Sequence, residues 1–588
     1  MLKRLLIANR GEIARRIIRA CRELGIETVA VYSDADAQAP FVAEADRAIR
    51  IGPPPARESY LNIDAIITAA RESGADSVHP GYGFLSERAP FARACEHAGL
   101  IFVGPPAGSL EKMGSKIGAR RLLTSAGVPV VPGETPADQS DASLTAAAQR
   151  VGFPVLIKPS AGGGGIGMKI ARTPDQMADA LAAARREAKA SFGDDTLFIE
   201  RLIEKPRHVE IQVFADNHGN VVHIFERECS AQRRHQKVIE ESPCLALSPA
   251  MRARMGEAAI ATARAVDYRN AGTCEFLLEG SGDSARFYFL EMNTRLQVEH
   301  PVTECVTGVD LVHAQLKVAS GEPLPFTQES LSQRGHAIEC RIYAEDPSQG
   351  FLPQAGPLEK YVEPQGPGIR VDSGVRQGSA VSVFYDPMLA KLIVHAENRE
   401  AARNRALAAL RSFSIEGINT NIGLLKQILA HPQFVDAAID TGFLDREVES
   451  LVAAIEPVSP REDKTPGPLE ASGTPGSFGT PGSKPDPFVT LGGWRVDGRA
   501  AWAGATASTR AARRKSHGES GVMAPMPATV VAIKTAVGET VDEGDAVIVL
   551  EAMKMELPIK APRTGVVKAI HCAKGDLVQP GISLLEIE

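Results

Sequence analysis

The C-terminal tail of the chain repeats itself at an offset of 37 residues, which limits the folds open to it. The matched positions are Ala532 with Ala569, Ile533 with Ile570, Ala536 with Ala573, Gly538 with Gly575, Val541 with Val578 and Gly544 with Gly581. Self-similarity at a fixed offset indicates a repeated architecture. Apolar alternation broken by glycine predicts short strands and turns in each copy. Neither copy can bury its apolar face alone, so we expect two small sheets packed face to face.

Lys554 falls between the two copies, where a hairpin has to turn and a side chain can project into water. Most lysines are simply solvated, which is the plainer interpretation. However, Met553 and Met555 flank this one, and methionines are costly to expose at a tip without a reason. The pattern therefore predicts a lysine displayed for covalent modification.

The stretch Ala552-Met553-Lys554-Met555 closely resembles the hallmark of the biotinyl (biotin carboxyl carrier) domain family. Ala524-Pro525-Met526-Pro527 belongs to the same resemblance, which covers residues 521–588. Lipoyl domains share the repeat, but their lysine usually follows an aspartate. The resemblance implies a flattened β-barrel or sandwich with biotin attached to Lys554 by a biotin protein ligase.

Bulk composition excludes several classes of protein. A length of 588 residues predicts several domains. The net charge of −7 gives no electrostatic case for binding nucleic acid or an anionic membrane. No apolar run approaches the ~20 residues of a membrane helix, and no signal peptide is recognisable. The eight cysteines form no C-x-x-C pair, so we expect reduced thiols in a cytoplasmic protein.

Periodicity divides the chain into five segments. Strands at 5–8, 28–32 and 77–79 alternate with helices at 11–25 and 62–73, which predicts a doubly wound α/β domain over 1–114. Residues 115–330 mix strands and helices, with a mobile lid expected at about 130–203. Residues 331–446 combine short strands with a helix at 399–411, giving an α+β domain. A connector follows over 447–520, and the biotinyl domain occupies 521–588.

The connector is rich in proline, glycine and serine over 457–487, too rich to form a packed core. At ~5–6 Å × √74 its mean span is roughly 45–50 Å, enough to let the tail visit separate sites. It also contains both tryptophans, Trp494 and Trp502, which we interpret as a segment that helps dock a partner. The basic run Arg510 to Lys515 is interpreted as a solvated face.

A glycine-rich stretch, 162–167, lies between the predicted strands 155–158 and 168–170. A dinucleotide fingerprint needs a strand followed by a helix, so this stretch is not one. A glycine-rich hairpin instead suits a flap over nucleotide phosphates, because missing Cβ atoms allow close backbone approach. The plainer alternative is an unstructured surface loop.

The segment 287–300 gives the strongest catalytic signal, because we expect it to be one continuous strand. Period-two alternation then places five polar side chains on one face, Glu291, Asn293, Arg295, Gln297 and Glu299, and leaves Leu290, Met292, Leu296 and Val298 facing a core. Two carboxylates and an amide suit oxygen-ligated Mg²⁺, and Glu275 on a neighbouring strand is a further candidate ligand. Dense charge over 226–237, with Lys116 and Lys158 upstream, is what phosphoryl transfer from ATP requires.

These motifs together closely resemble the biotin carboxylase component of biotin-dependent carboxylases, an ATP-grasp fold, over residues 1–446. The resemblance rests on Ala8 to Glu12, His79 to Glu87, the glycine flap, Arg233 to Lys237, Glu291 to Arg295 and Gly335 to Arg341. One departure is Ile166, which stands where the family usually carries Lys or Arg. That change removes a charged contact from flap to phosphate but leaves the fold unaffected.

The resemblance implies a role for each matching residue. Residues implied to bind ATP are Lys116, Lys158, Gly163, Gly164, Gly165, Met168, Glu200, Leu202, His208, Gln232, His235 and Leu277. Those implied to hold Mg²⁺ or Mn²⁺ are Glu275, Glu291 and Asn293. Those implied to bind bicarbonate or biotin are Lys237, Arg295, Gln297, Val298, Arg341 and Tyr82. Glu299 would be the general base, and Arg341 would stabilise the biotin enolate.

The chain is thus expected to be the α subunit of an acyl-CoA carboxylase, of the acetyl- or propionyl-CoA type. It would carboxylate its own biotin with ATP and bicarbonate and pass the carboxyl group to a separate carboxyltransferase β subunit. The expected assembly is a homodimer or larger within a hetero-oligomeric holoenzyme. The main alternative is the α subunit of a two-chain pyruvate carboxylase or another small-acceptor carboxylase. A carrier with a degraded ligase region and an ATP-grasp ligase for another carboxylate are further alternatives, the first disfavoured by the intact 291–299 row.

Overall fold

The structure is a computed structural model that describes residues 2–160, 167–455, 521–526, 528–552, 555–578 and 581–588. One compact unit comprises Met1–Ile455 and Val522–Glu588. The other, Glu456–Gly521, lies outside the described residues except at its last position. Among helices in the described ranges, none is both long and apolar enough to cross a membrane.

The first segment is a parallel five-stranded sheet in the order β3-β2-β1-β4-β5, which confirms the doubly wound prediction. Its elements are β1 (Arg4–Ile7), α1 (Gly11–Leu24), β2 (Glu27–Ser33), α2 (Pro40–Glu44), β3 (Arg47–Gly52), α3 (Ile63–Ser73), β4 (Ser77–His79), α4 (Ala89–His97), β5 (Ile101–Phe102) and α5 (Ala107–Gly114). Gly25 ends α1 in the left-handed region at φ 70°, a conformation that costs glycine nothing. Every residue of β4 and most of β1 and β2 are buried, as expected for a parallel sheet covered on both faces.

The middle segment begins with a small antiparallel sheet in the order β6-β9-β7-β8, which has its own core with α7 and α8. A long-stranded region follows. The elements are α6 (Lys116–Ser125), β6 (Gly133–Glu134), α7 (Asp141–Val151), β7 (Val155–Pro159), β8 (Lys169–Ala171), α8 (Met177–Phe192), β9 (Leu197–Arg201), β10 (Arg207–Ala215), β11 (Val221–Arg233), β12 (Gln236–Ser242), α9 (Pro249–Ala265), β13 (Asn270–Glu279), β14 (Arg286–Asn293), α10 (His300–Thr307) and α11 (Leu311–Ala319).

The third segment continues the same large sheet. Its elements are β15 (His336–Tyr343), β16 (Glu345–Asp346), β17 (Leu352–Pro353), β18 (Gly356–Pro357), β19 (Lys360–Val362), β20 (Ile369–Ser373), β21 (Ala380–Val381), β22 (Met388–Ala396), α12 (Arg399–Ser412), β23 (Ser414–Glu416), α13 (Ile422–Ala430), α14 (Pro432–Val435) and α15 (Phe443–Ala453). Helix α15 continues past residue 447 with Leu451 buried, so the folded part reaches Ile455.

The large sheet has eight strands in the order β14-β13-β10-β11-β12-β15-β22-β20 and joins the middle segment to the third. Its two faces differ sharply in polarity. Val209, Ile211 and Val213 of β10 point into a core with α9, and Ile338 and Cys340 of β15 point into a second core with α12. Period-two alternation then places the intervening charged residues of these strands together on the opposite face.

The prediction of one strand over 287–300 is wrong beyond Asn293. Strand β14 ends there, residues 294–299 form a bend and turn, and α10 begins at His300. Pro301 explains the change, because proline in the first turn of a helix favours helix initiation and cannot serve a strand ladder. Leu296 and Met292 accordingly pack into different cores rather than sharing one strand face.

The biotinyl segment consists of two four-stranded sheets, in the orders β24-β31-β29-β26 and β28-β27-β25-β30. Its strands are β24 (Gly521–Met523), β25 (Ala528–Ile533), β26 (Thr540–Val541), β27 (Ala546–Ala552), β28 (Met555–Lys560), β29 (Gly565–Ile570), β30 (Leu577–Val578) and β31 (Ser583–Ile587). The offset of 37 carries β25 onto β29 and β26 onto β30, and each short strand pairs with the other copy. The two copies share one apolar core, which confirms the sandwich read from the repeat.

Candidate functional site

The candidate site lies on the polar face of the large sheet, where five strands contribute charged side chains and a sixth contributes an amide. Strand alternation positions Glu210, Glu275 and Arg341, since each lies between apolar residues that face the cores on the other side of the sheet. The contributing residues are Glu210 (β10), Arg227 (β11), Lys237 (β12), Glu275 (β13), Asn293 (β14) and Arg341 (β15). The bend 294–299 adds Arg295, Gln297 and Glu299 from the end of β14.

Lys237 is the centre of this cluster. Its Nζ donates to Glu210 Oε2 at 2.6 Å, Glu275 Oε1 at 2.8 Å and Glu299 Oε1 at 2.6 Å. Burial disfavours the ammonium, but the three carboxylates outweigh burial and raise the pKa of Lys237 well above its usual value. One cation therefore holds together three acids that would otherwise repel one another.

Glu299 lies at the start of α10 and is held ionised from two sides. Lys237 contacts one carboxylate oxygen, and Arg341 Nη2 donates to the other at 3.0 Å. Burial acts to raise the pKa of Glu299, yet Lys237, Arg341 and Arg227 together lower it below its ordinary range. Glu299 is thus a carboxylate at neutral pH, but its basicity is suppressed while both cations hold it.

Arg341 also bonds Glu240 on the adjacent strand, with its Nε 2.5 Å from Glu240 Oε1. Glu240 and Glu339 lie opposite each other in the β12–β15 register, and both are fully buried. Burial raises the pKa of Glu339 well above its usual value. The site therefore contains two acidic side chains, Glu240 and Glu339, whose charged forms are disfavoured by burial. Such groups are typical of functional sites rather than of stable cores.

Arg227 orients Gln297. All five guanidinium N–H groups are used, since they donate to Glu210, Gln212, Thr303, Thr273 and Gln297. Because arginine only donates, Gln297 must turn its Oε1 toward Arg227. Its Nε2 then faces Glu275 Oε1 at 3.0 Å, which leaves an amide donor directed into the site.

Arg295 is fixed by the first segment of the chain. Its Nε donates to Glu87 Oε2 at 3.0 Å, and its Nη2 donates to Asn293 Oδ1 at 3.0 Å. Glu87 also accepts from the backbone N–H of Thr294 at 2.9 Å. Contacts from two segments therefore pin the start of the bend, with a guanidinium kept beside the three acids.

A divalent cation fits the acidic end of the site. Glu275 and Glu291 are directly opposed across the β13–β14 register, and Asn293 is opposed to Thr273. Like charges placed opposite each other on neighbouring strands are unfavourable, a cost that a cation between them would remove. Carboxylate and amide oxygens are the ligands that Mg²⁺ prefers.

The candidate nucleotide residues form a second group. Lys158 on β7 and Glu200 on β9 form an ion pair at 2.6 Å, and Arg120 joins them at 2.5 Å from Glu200. His208, another nucleotide candidate, belongs to the first cluster, because its Nε2 lies 3.1 Å from Glu275 Oε2. His235 is exposed at the turn between β11 and β12, with φ at 67°.

The structure places the remaining nucleotide candidates as follows. Gln232 is opposite Lys237 in the β11–β12 register, and Leu277 is opposite His208 in the β10–β13 register. Met168 precedes β8, and the Leu202 N–H donates to Pro154 O at 2.9 Å. Gly163, Gly164, Gly165 and Ile166 lie outside the described residues, as does the side chain of Lys116.

Tyr82 lies in the turn after β4 and donates a hydrogen bond to Glu12 of α1. Burial, reinforced by the neighbouring Glu12 carboxylate, raises the pKa of the Tyr82 phenol well above its usual value. Tyr82 is therefore a neutral hydrogen-bond donor at neutral pH.

Lys554 and Met553 lie outside the described residues. The strands on either side are described, and β27 pairs antiparallel with β28 in a register that sets Ala552 opposite Met555. Gly538 and Gly575, equivalent in the repeat, adopt φ of 89° and 98°, which is the left-handed region that glycine tolerates.

Sequence reasoning missed several residues of this network, to which it assigned no role of their own: Glu12, Glu87, Glu210, Glu240, Glu339 and Lys391. It included Arg227 only as part of the charged run 226–237. A usable signal was present. Glu210 alternates with Val209 and Ile211, and Lys391 lies between Ala390 and Leu392. A lone charge inside an apolar strand is a candidate buried polar group, since such residues are rarely buried without a partner.

Four family models match the chain. They describe a biotin carboxylase N-terminal domain (residues 1–110), the ATP-binding domain of the carbamoyl-phosphate synthase L chain (115–327), a biotin carboxylase C-terminal domain (339–446) and a biotin-requiring enzyme (520–587).

Three relatives span different parts of this arrangement. The α subunit of methylcrotonoyl-CoA carboxylase from Glycine max is 52% identical over 80% of this chain and 64% of its own length. Biotin carboxylase from Halalkalibacterium halodurans is 51% identical over 76% of this chain and 98% of its own. The propionyl-CoA carboxylase alpha chain of Ruegeria pomeroyi is 40% identical over 100% of both chains. The chain spans less than two thirds of the plant methylcrotonoyl-CoA carboxylase subunits it matches, 64% and 61%.

Solved structures agree with this arrangement. Biotin carboxylase from Campylobacter jejuni has a TM-score of 0.73 at 44% identity, covering 76% of this chain and 99% of its own. The biotin carboxylase domain dimer of 2-oxoglutarate carboxylase from Hydrogenobacter thermophilus, solved with MgADP and bicarbonate, has a TM-score of 0.73 at 44% identity, covering 77% of this chain and 99% of its own.

Proposed function

The chain belongs to the biotin carboxylase family, and we propose that it uses ATP and bicarbonate to carboxylate a biotin carried on its own Lys554. One observation carries the proposal: the buried Lys237–Glu299–Arg341 network and a biotin-requiring domain occur on the same polypeptide. The relatives support it, since the matched families are those of a biotin carboxylase and a biotin carrier.

Bicarbonate would bind among Lys237, Arg295, Gln297 and the backbone of Val298. An anion that attracts Lys237 would withdraw one of the two cations that hold Glu299, and the basicity of Glu299 would rise. Glu299 then accepts the bicarbonate proton as the bicarbonate oxygen attacks the γ-phosphate of ATP. The products would be carboxyphosphate and ADP, and carboxyphosphate would then break down to CO₂ and phosphate.

The remaining residues bind or neutralise charge. Glu275, Glu291 and Asn293 would hold Mg²⁺ or Mn²⁺, which screens the phosphate charges when bound. Biotin, when bound, would supply the nitrogen that forms the new N–C bond with CO₂, and its N–H proton would pass to the released phosphate. Arg341 and Tyr82 would orient the biotin. ATP would contact the twelve residues to which the family resemblance assigned it, among them Lys158 and Glu200, which the structure pairs.

We further propose that the carboxyl group passes to a separate carboxyltransferase β subunit acting on a short acyl-CoA. Acetyl- and propionyl-CoA are the acceptors favoured by the sequence, and the Ruegeria relative aligned over its whole length is a propionyl-CoA carboxylase chain. The more identical methylcrotonoyl-CoA carboxylase subunits add a branched acceptor to the set. Since all eight cysteines are free thiols, we place the protein in the cytoplasm.

A second candidate function is supported by the 2-oxoglutarate carboxylase domain, which is 44% identical over 77% of this chain. In that case the partner would act on a small oxo acid instead of an acyl-CoA. Purifying the chain with its native partner and supplying acetyl-, propionyl- and 3-methylcrotonyl-CoA, pyruvate and 2-oxoglutarate decides between them. Turnover of an acyl-CoA alone supports the first candidate, and turnover of an oxo acid alone overturns it.

The catalytic half of the proposal has a simpler test. The purified chain should hydrolyse ATP in the presence of bicarbonate and free biotin, with each reagent required. Hydrolysis that ignores bicarbonate would contradict it.

The connector is proposed to help dock the β subunit through its tryptophan segment, which lies outside the described residues. Deleting 488–505 should abolish co-purification with the partner while leaving ATP hydrolysis with free biotin intact. Unchanged co-purification would refute this assignment.

A further inference from the structure

Lys391 is a fully buried lysine in the middle of strand β22. Its strand neighbours Ala390 and Leu392 pack into the core beneath the sheet, so Lys391 points to the polar face. A lysine almost never occupies such a position without a partner, because removing an ammonium from water is costly unless it is paired or hydrogen-bonded. Its contacts must therefore compensate for its burial.

Those contacts join three segments of the chain. The Nζ of Lys391 donates to the backbone oxygen of Val298 at 2.7 Å, and it lies 3.2 Å from Glu12 Oε1. Glu12 belongs to the first turn of α1 and accepts the hydrogen bond from Tyr82. Lys391 thus ties the bend 294–299 to the third segment and, through Glu12, to the first.

The register of the sheet makes this contact part of a pair. Lys391 is directly opposite Arg341 in the β15–β22 ladder. Two neighbouring cations therefore hold adjacent groups of one turn. Arg341 bonds the Glu299 carboxylate, and Lys391 bonds the Val298 carbonyl.

Holding the Val298 carbonyl restricts the direction in which the Glu299 side chain points away from the backbone. The peptide between residues 298 and 299 is rigid, so holding its oxygen sets the orientation of the Glu299 N–H and limits the path of its side chain. Positioning of this kind matters to rate, because a displacement of ~1 Å in reacting groups can cost ~10²-fold.

We infer that Lys391 is a positioning residue for the bicarbonate-binding turn, acting on Val298 and Glu299 through the Val298 carbonyl and touching no substrate itself. The inference rests on the proposed function, in which that turn binds bicarbonate and supplies the base. Its removal is expected to impair the bicarbonate step selectively and to leave nucleotide binding intact.

The test uses the full chain and two substitutions. Lys391→Met removes the donor with little change of volume but leaves Glu12 buried without its cation. The double variant Glu12→Gln/Lys391→Met makes the pair neutral, which is often tolerated where breaking one half is not. Lys360→Met is the matched control, because Lys360 makes an exposed ion pair with Glu416 in the same segment.

Bicarbonate-dependent ATP hydrolysis with free biotin and the Kd for MgADP are measured for each variant. We expect kcat/KM for bicarbonate to fall ~10–100-fold in both Lys391 variants, with the MgADP Kd within about twofold of the wild type and the control unchanged. Thermal unfolding of the double variant checks that it is folded.

Wild-type bicarbonate kinetics in the folded double variant would overturn the inference while leaving the proposed function standing. An equal loss of MgADP affinity and bicarbonate turnover would assign Lys391 a general structural role and would also overturn it. The same conclusion follows if neither variant folds and Lys391→Gln, which keeps a neutral donor, does not fold either. A wild type without bicarbonate-dependent hydrolysis would instead remove the proposed function, and this inference with it.

Discussion

A single ammonium, that of Lys237, bonds three carboxylates in the candidate site. Its partners Glu210, Glu275 and Glu299 all lie within hydrogen-bonding distance and are almost completely buried. An incoming anion must compete with these carboxylates for Lys237. Under the proposed function, Glu299 would stay weakly basic in the resting site until a substrate anion replaces one of its ion pairs.

Glu299→Gln tests the assigned base. The substitution keeps the size of the side chain but removes the group that accepts a proton, so bicarbonate-dependent ATP hydrolysis should fall ~10²–10⁴-fold. MgADP binding should persist, because the nucleotide residues lie on other strands. Steady-state hydrolysis and ADP titration measure the two quantities.

The matched control for this substitution is Glu279→Gln, at the far end of β13 from Glu275. Glu279 pairs with Arg201 at a partly exposed position, so this variant should retain wild-type turnover. A Glu299→Gln rate within a few-fold of the wild type would show that the base has been wrongly assigned.

At the scale of elements, a buried carboxylate connects β12 to β15 and α12. Glu241 accepts from His336 at 2.7 Å and from Arg399 at 2.6 Å. Burial alone would raise its pKa, but the hydrogen bond from His336 and the charge of Arg399 lower the pKa of Glu241 to about 2. A carboxyl group with a depressed pKa stabilises the fold above its unfolded pKa, and that stabilisation is lost as the pH falls through the folded value.

Glu241→Gln should therefore lower the free energy of unfolding at pH 7 by about 3 kcal/mol. Thermal unfolding should show this loss as a lower midpoint. The difference from the wild type should stay constant above about pH 4.5 and narrow as the pH is lowered toward 2, to the lowest pH at which both proteins stay folded. Glu134→Gln, which breaks an exposed ion pair with Arg150, should cost ~0–1 kcal/mol. A Glu241 effect that grew as the pH fell would contradict this account.

A second prediction at the scale of elements concerns Gly575, one of the repeat glycines of the biotinyl segment. A Cβ at Gly575 would meet nothing within 4 Å, so the cost of Gly575→Ala is conformational and should be ~1–2 kcal/mol. Hydrogen exchange of peptides covering β29 should accelerate accordingly. Gly108→Ala, in open space within α5 and without a positive φ, should instead stabilise its helix by ~1 kcal/mol. Unchanged exchange in Gly575→Ala would show that the turn tolerates a side chain.

Hydrophobic periodicity and the internal repeat were sufficient to predict helices and strands where one pattern continued along a whole segment. The parallel sheet of the first segment and the two copies of the biotinyl repeat followed from such patterns. The prediction of one strand over 287–300 was wrong because the polar alternation continues into the bend at 294–299. Only Pro301 indicates the change. Period-two reading still brought Asn293 into the right cluster, since β14 carries it.

Long-range contacts could not be predicted in this way. Arg227 and Gln297 are far apart in sequence and meet only because β11 and the bend after β14 converge on one face of the sheet. The same is true of Lys391 and Val298, which meet across the join between the middle and third segments. Strand order, which periodicity does not encode, determined these pairs.

At the scale of the whole molecule, the proposal requires that the carboxylating site and the biotin-bearing domain be separable functions. Lys554→Ala should abolish avidin reactivity and acyl-CoA carboxylation, because the group that carries the carboxyl is gone. ATP hydrolysis with free biotin should remain within about twofold of the wild type, since every residue named at the site on the large sheet lies within 1–446. Lys560→Ala, at the end of the same hairpin, is the control and should keep both activities. Loss of free-biotin hydrolysis in Lys554→Ala would contradict separable domains.

Transfer of labelled carbon from bicarbonate to the chain tests the central claim most directly. The biotinylated protein is mixed with MgATP and [¹⁴C]bicarbonate, separated rapidly from small molecules and counted. We predict ATP-dependent label on the wild-type protein and none on Lys554→Ala or Glu299→Gln. Label that appears without ATP, or equally on Lys554→Ala, would contradict the account.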